Sequence, residues 1–167
     1  MSHFHANQLL IAKPDLTDPN FSRTVVHLVE HDAEGALGVV LNRPMTIPVS
    51  EHFDSLVAAV SYPPVFFEGG PVASGSVVAL GSRGGAPPRL VDIDGLLGGS
   101  TPMPDQLRLF AGYAGWSAGQ LEGELLGGSW IVAETRRDDL GGDDLFGANP
   151  GDLWRSVLRR QPRPISQ

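Results

Sequence analysis

The sequence predicts a single α+β domain built on a mixed sheet, and three observations lead there. Its 167 residues suit one domain. Short β-branched and apolar runs joined by tight turns alternate with segments of helical spacing, without strict βαβ order. The 21 Gly and 14 Pro demand many turns and short elements. At this length roughly 70% of the unfolded surface can be buried, so no staple is needed.

Leu9-Leu10-Ile11-Ala12 is a continuous apolar run, closed by Lys13-Pro14, and reads as a buried strand. Asp18-Pro19-Asn20 is a turn signal. Thr24–Glu30 and Ala36–Leu41 read as strands of an antiparallel hairpin, with His31–Gly35 as its five-residue turn and Pro44 as its stop. Phe53, Leu56, Val57 and Val60 have i, i+3, i+4, i+7 spacing behind Ser50, which predicts a capped helix of about three turns. Val65–Glu68 and Ser76–Leu80 read as strands, flanking Gly69-Gly70-Pro71.

Residues 81–105 are rich in Gly and Pro and read as a loose, flexible loop with a small apolar piece at Leu90–Ile93. Leu107–Tyr113 reads as a strand, Ser117–Leu126 as a helix closed by Gly127-Gly128, and Ser129–Ala133 as a strand. Asp138–Asp144, with four Asp and two Gly, reads as a solvated loop or a frayed helix. Asn149-Pro150 starts a last helix, with Leu153, Trp154, Val157 and Leu158 on one face. Residues 1–7 and 161–167 read as flexible tails.

The chain has no cysteine, which excludes disulfides, thiolate metal sites and cysteine nucleophiles. The opening MSHFHANQLL lacks the basic and apolar regions of a secretory signal, and no apolar run reaches the ~20 residues of a membrane span. The cytoplasm is the expected location. Net charge −7 repels nucleic-acid phosphates at long range. Against that background Arg155, Arg159, Arg160 and Arg163 form a small basic cluster, read as a complement to a helix C-terminus.

Residues 115–119, GWSAG, spell the G-x-S-x-G nucleophile elbow, with a predicted strand before and a helix after. The elbow fold places its histidine after the serine, yet the five histidines here, at 3, 5, 27, 31 and 52, all precede Ser117. Ser117 and Gln120 also form the S-x-x-Q capping box, and Trp116 and Leu121 are spaced for a hydrophobic staple. On that reading Ser117 caps the helix, and its loss costs about 0.5–2 kcal/mol. Gly119, Gly123 and Gly127 make a bare helical stripe, read as a surface for close packing.

Other chemistries find no spelling. The single lysine, Lys13, follows Ala12, so no Walker A loop exists, and no G-x-G pair supports a dinucleotide fingerprint. His27 and His31 would sit about 13 Å apart on a strand, too far for one ion. The clustered aspartates lack EF-hand spacing. Neither a metal nor a cofactor is called for.

Three blocks together resemble the YqgE/AlgH family of bacterial proteins: LLIAKPDLTDPNFSRTVVHLVEHDAEGALGVVLNRP at 9–44, FEGGPV at 67–72 and AGYAGWSAGQLEGELLGGSW at 111–130. GDLWRSVL at 151–158 is similar to that family's closing tryptophan helix, while 81–105 departs from its pattern. The resemblance implies an α+β fold whose branched sheet is partly closed into a barrel and flanked by helices. It implies no established activity. The family's label of transcriptional regulator sits poorly with the acidic charge, so regulation would act through a protein or a small ligand.

The preferred reading is a non-enzymatic binding or regulatory domain for an unknown protein or small anionic ligand. Its candidate contacts are Asn42, Arg43, Gly69, Gly70, Tyr113 and Trp116, which sit at predicted strand ends and turns. Arg43 suits a carboxylate or phosphate, the glycine pair an anion nest, and Tyr113 or Trp116 an apolar wall. No catalytic residue is assigned. The alternatives are a small enzyme with acid–base groups near His31 and Asn42, with Glu30 facing the other way, and a DNA-binding regulator using the arginines of the last helix.

Overall fold

A computed structural model describes residues 4–84, 86–136 and 143–162. Nine strands form one branched sheet: β1 Leu9–Ala12, β2 Val25–Asp32, β3 Gly35–Val40, β4 Pro44–Pro48, β5 Val65–Glu68, β6 Val72–Ser82, β7 Arg89–Val91, β8 Gln106–Ser117 and β9 Trp130–Ala133. The helices are α1 Ile93–Gly98, α2 Gln120–Leu126 and α3 Leu153–Arg159. The main path runs β4-β5-β8-β3-β2-β1-β9, and β6 and β7 leave it from β8. The sheet is mixed, since β5 runs parallel to β8 while β3 and β6 run antiparallel to it. This is the single-domain α+β fold expected, its sheet curled into a half-barrel with few helices.

The branch is a property of β8. Its end, Ala114–Ser117, pairs with Gly38–Gly35 of β3, while its first part pairs with β5 and with β6. Alternation along the strand feeds three cores. Leu107 and Leu109 enter the cluster around Val49, Leu56 and Phe66; Phe110 enters the central one with Leu9, Ile11 and Phe67; Ala114 and Trp116 enter the one with Leu10, Val26 and Leu121. β1 is buried on both faces, which explains its unbroken apolar spelling. α2 covers one face through Leu121, and α3 covers the central cluster through Leu153 and Val157.

Several expectations are corrected. The hairpin turn is Ala33-Glu34 rather than five residues, because β2 continues through Asp32, whose Oδ1 accepts the Glu34 N–H at 2.8 Å. The helix expected from Ser50 is two 3-10 turns, Val49–Glu51 and Asp54–Leu56, with Phe53 at φ −136° between them. Val60 then bridges Leu107, and the Ser61 N–H donates to the Leu107 carbonyl at 2.9 Å. Pairing with β8 therefore prevails over helical spacing while Leu56, Val57 and Val60 still reach a core.

The segment expected as a loose loop at 81–105 contains the end of β6, all of β7 and α1. At the amino end, expected as a tail, the Asn7 N–H donates to the Leu28 carbonyl at 2.8 Å and the His5 N–H to His31 Nδ1 at 3.0 Å. Among the described residues no helix is long and apolar enough to cross a membrane.

Candidate binding site

The structure gathers most of the sequence-predicted contacts at the branch of the sheet, where their polar groups serve the fold. Asn42 Oδ1 accepts the Val25 N–H at 3.0 Å and Nδ2 donates to the Arg23 carbonyl at 2.9 Å, continuing the β2–β3 ladder by a side chain. The Arg43 fork donates to the carbonyls of Asn20 (2.8 Å), Pro19 (3.1 Å) and Ser22 (3.2 Å), and Nη1 lies 3.7 Å from Glu68 Oε1. It holds the 18–23 turn against the sheet.

The Gly69 N–H donates to the Ala111 carbonyl and its own carbonyl accepts from Val40, both at 2.9 Å. An added Cβ on Gly69 would run into the Gly112 carbonyl, and Gly112 itself has φ +73°. The glycines thus permit two strands to cross, and Gly69 presents no anion nest. Tyr113 is half-buried against the central core, and Trp116 is buried, so Trp116 offers no apolar wall.

Ser117 is the last residue of β8, exposed, and outside α2. Half of the expected capping box forms: Gln120 Oε1 accepts the Ser117 N–H at 3.0 Å. The hydroxyl engages the same oxygen at 3.2 Å instead of accepting from the helix backbone. Gly119, in the left-handed region at φ +77°, takes the N-cap position and starts the helix two residues later than expected. Trp116 and Leu121 do share one cluster, as a staple would. The glycine stripe is corrected too: added Cβ atoms on Gly119 and Gly123 would meet nothing within 4 Å, so those two positions face open space. Ser117→Ala is therefore expected to change unfolding free energy by no more than about 0.5 kcal/mol, read from urea denaturation midpoints. A loss above the value set for a helix cap would restore the capping reading.

His31 is buried while Glu30 is exposed, so they face opposite ways as expected. His31 Nδ1 accepts the His5 N–H, Nε2 lies 3.3 Å from Glu122 Oε2, and Phe4 and His5 pack on the ring. Asn42 is bonded to Val25, six residues away along β2, or about 20 Å. The two do not form one acid–base site. In the last helix Arg155 and Arg159 are exposed, whereas Arg160 makes a bidentate pair with Asp144 at 2.9 and 2.7 Å. Asp144 is buried rather than solvated. Asp138, Asp139 and Arg163 lie outside the described residues.

Two of the cavities among the described residues stand apart from that junction. The larger, about 830 Å³, lies against the β6–β7 hairpin and the 101–105 segment. Leu90, Val91 and three prolines give it apolar walls, and Arg83 and Arg89 give it cations. Register places Arg89 opposite Gly81, two residues before Arg83, so one hairpin supplies both guanidiniums. Among the described residues neither guanidinium has a carboxylate in ion-pair reach. Asp105 also lines the cavity, but its Oδ2 accepts the Gly84 N–H at 2.7 Å; Asp92 lies on the same wall.

The smaller cavity, about 240 Å³, lies between β8 and α3 and is lined by Arg108, Arg136, Asp143, Asp144, Ser156 and Arg160 among others. Burial pushes the Arg108 guanidinium down to about 10, partly opposed by the charge of Asp143, which leaves it a cation at neutral pH.

Comparison with known proteins fits this architecture. A family model described as AlgH-like matches residues 9–166. The chain belongs to the AlgH-like family. Similar relatives carry the name UPF0301 protein: that of Streptomyces avermitilis is 42% identical, with 95% of this chain and 88% of the relative covered. That of Mycobacterium avium is 39% identical, with 96% and 85% covered. Among solved structures, protein DIP2367 from Corynebacterium diphtheriae superposes with TM-score 0.85 at 28% identity, covering 98% of this chain and 90% of that one. The solution structure of the AlgH protein from Pseudomonas aeruginosa gives TM-score 0.66 at 28% identity, covering 95% of each chain.

Within this AlgH-like fold, sequence reasoning missed Arg83, Arg89, Arg108 and Glu124. Arg108 did carry a signal, as a lone cation in the apolar run Leu107–Phe110. Buried cations require partners, so such a residue marks a polar centre inside a core.

Proposed function

We propose that the chain is a non-enzymatic binding domain whose ligand is an organic anion with an apolar body, taken up in the cavity beside β6 and β7. One observation carries this reading. In a chain of net charge −7, two guanidiniums without a carboxylate in ion-pair reach among the described residues, Arg83 and Arg89, line an 830 Å³ cavity beside apolar walls. A cavity of 830 Å³ falls in the ~300–1,000 Å³ range of small-molecule sites. Guanidiniums suit carboxylates and phosphates bidentately, and the walls suit the rest of the ligand. The groups that once suggested catalysis are otherwise engaged, Ser117 with Gln120 and His31 with His5 and Glu122. Any regulatory role of the chain would then act through this ligand.

Thermal-shift titration with citrate, adenosine monophosphate and decanoate, followed by calorimetry, tests the proposal. At least one of them is expected to stabilise the chain saturably, by about 2.7 kcal/mol at a hundredfold excess over Kd. The Arg83→Gln/Arg89→Gln double variant should bind at least tenfold more weakly. Absence of stabilisation by all three, or undiminished binding to the double variant, would overturn it.

A further inference from the structure

We propose that residues 4–8 form an acid-released strap, latched onto β2 by the neutral imidazole of His31. The His31 ring is buried, and its Nδ1 accepts the His5 backbone N–H at 3.0 Å. A neutral imidazole that accepts at one nitrogen carries its proton on the other, so the proton sits on Nε2. Nε2 lies 3.3 Å from Glu122 Oε2, near enough to feel the carboxylate though not aligned as a hydrogen bond. The Phe4 ring meets the imidazole edge-on at 5.0 Å, and the His5 ring stacks on it at 5.6 Å. Further along, the Asn7 N–H donates to the Leu28 carbonyl at 2.8 Å and Gln8 Nε2 to Glu134 Oε1 at 2.7 Å. Asn7 turns the strap at φ +68°, a left-handed conformation that these contacts must hold.

Protonating His31 turns Nδ1 from an acceptor into a donor. Two N–H groups would then face each other at 3.0 Å in a buried contact, and neither can turn away. The proton therefore enters once the His5 N–H has left, and it then bars the strap's return. Histidine is the side chain whose charge changes between about pH 5 and 8, which makes mild acidification the signal. Among the described residues, the titratable groups packed on the ring are His5 on the strap and Glu122 on α2. Glu122 stays with α2 and attracts the cation whether the strap is docked or free, so it does not choose between the two states. His5 Nδ1 donates to Gln8 Oε1 at 2.8 Å, a contact that charged His5 keeps. Glu30 and Asp32, the chain neighbours on β2, are exposed on the other face, and Ala36 stands opposite on β3. Docking is thus complete where His31 is neutral and is lost as the pH falls. Release uncovers the imidazole and the flank of β2 at Leu28, whose carbonyl and N–H the strap engages.

Amide hydrogen exchange followed by ¹H–¹⁵N NMR on the full chain tests this, with each rate corrected for its intrinsic pH dependence. Protection of the His5 and Asn7 amides should fall at least about tenfold between about pH 7.5 and 5.5, while β1 amides keep theirs. His31→Asn keeps an acceptor in place of Nδ1 and does not titrate, so its strap should stay protected at both pH values. His5→Phe keeps the ring packing without the second charge and should still show the fall. Constant protection in the natural sequence, the same fall in His31→Asn, or no fall in His5→Phe would overturn the proposal. If His31→Asn leaves the strap free throughout, the ring ¹⁵N resonances of His31 in the natural sequence decide. They should titrate together with the loss of His5 protection, and a titration that leaves that protection intact would contradict the latch.

Discussion

Arg108→Ala is expected to destabilise the protein by about 3–5 kcal/mol. The side chain fastens two segments to β8 through three carbonyls: that of Tyr62, and those of Leu145 and Gly147. Alanine leaves these acceptors without their charged donor, strips a cation from the Phe67 face and opens a hole beside the central core. Each lost charged hydrogen bond is worth about 1.5–3 kcal/mol, and relaxation recovers part of the sum. Arg108→Lys keeps the charge but cannot span the three carbonyls, so roughly half the loss should remain.

Urea unfolding followed by far-UV circular dichroism measures both variants; a change below about 1 kcal/mol for alanine would show that the guanidinium is not a fastener. The pH dependence is separable. Because burial lowers this base from its ordinary value to about 10, the unfolded chain binds more protons only in the alkaline window above about 10. The group's contribution to stability therefore rises with pH across that window, and it adds no slope near neutrality.

Glu124→Ala is expected to cost about 2–4 kcal/mol and to change tryptophan emission at once. One carboxylate oxygen, Oε1, accepts both indole N–H groups, Trp116 at 3.0 Å and Trp130 at 2.9 Å, while Oε2 accepts Gln120 Nε2 at 3.0 Å. Both indoles are nearly buried, and Phe21 packs on each. Losing the carboxylate strands two indole donors, at about 1–3 kcal/mol for each group left unpaired, less whatever water enters. Glu124→Gln keeps an acceptor oxygen and should cost only about 1 kcal/mol. Trp154 donates instead to the Ala12 carbonyl, so its emission is a constant background. Unchanged emission and stability in Glu124→Ala would mean that α2 is held by Leu121 packing alone.

The elements that local spelling revealed are those whose burial is local. β1 reads as a run because both its faces are covered, and the β2–β3 hairpin reads from its β-branched residues. The branch at β8 is invisible in sequence, since it arises from pairing with three strands, β3, β5 and β6, that lie well before it in the chain. Helical spacing at Phe53–Val60 misled because two 3-10 turns present much the same side chains to a core. GWSAG misled once, because Gly119, not Ser117, begins the helix.

The site was less readable. Asn42, Arg43 and the Gly69-Gly70 pair stand out in sequence because backbone crossing demands them, and such demand looks the same as ligand binding until the partners are seen. Arg83 and Arg89 lie in a segment without periodicity, and nothing local announces that a hairpin there faces a cavity. Glu124 serves two tryptophans lying eight residues before it and six after, a pairing that only the packing of α2 on the sheet creates.

The division between a junction that builds the sheet and a hairpin cavity that receives a ligand is tested most directly by ¹H–¹⁵N shift mapping. The probe is whichever of citrate, adenosine monophosphate or decanoate stabilises the chain most. Backbone shifts should concentrate at residues 81–92 and 101–105, with Asn42, Arg43, Gly70 and Ser117 unmoved. Shifts centred on those four residues, with the hairpin silent, would contradict it.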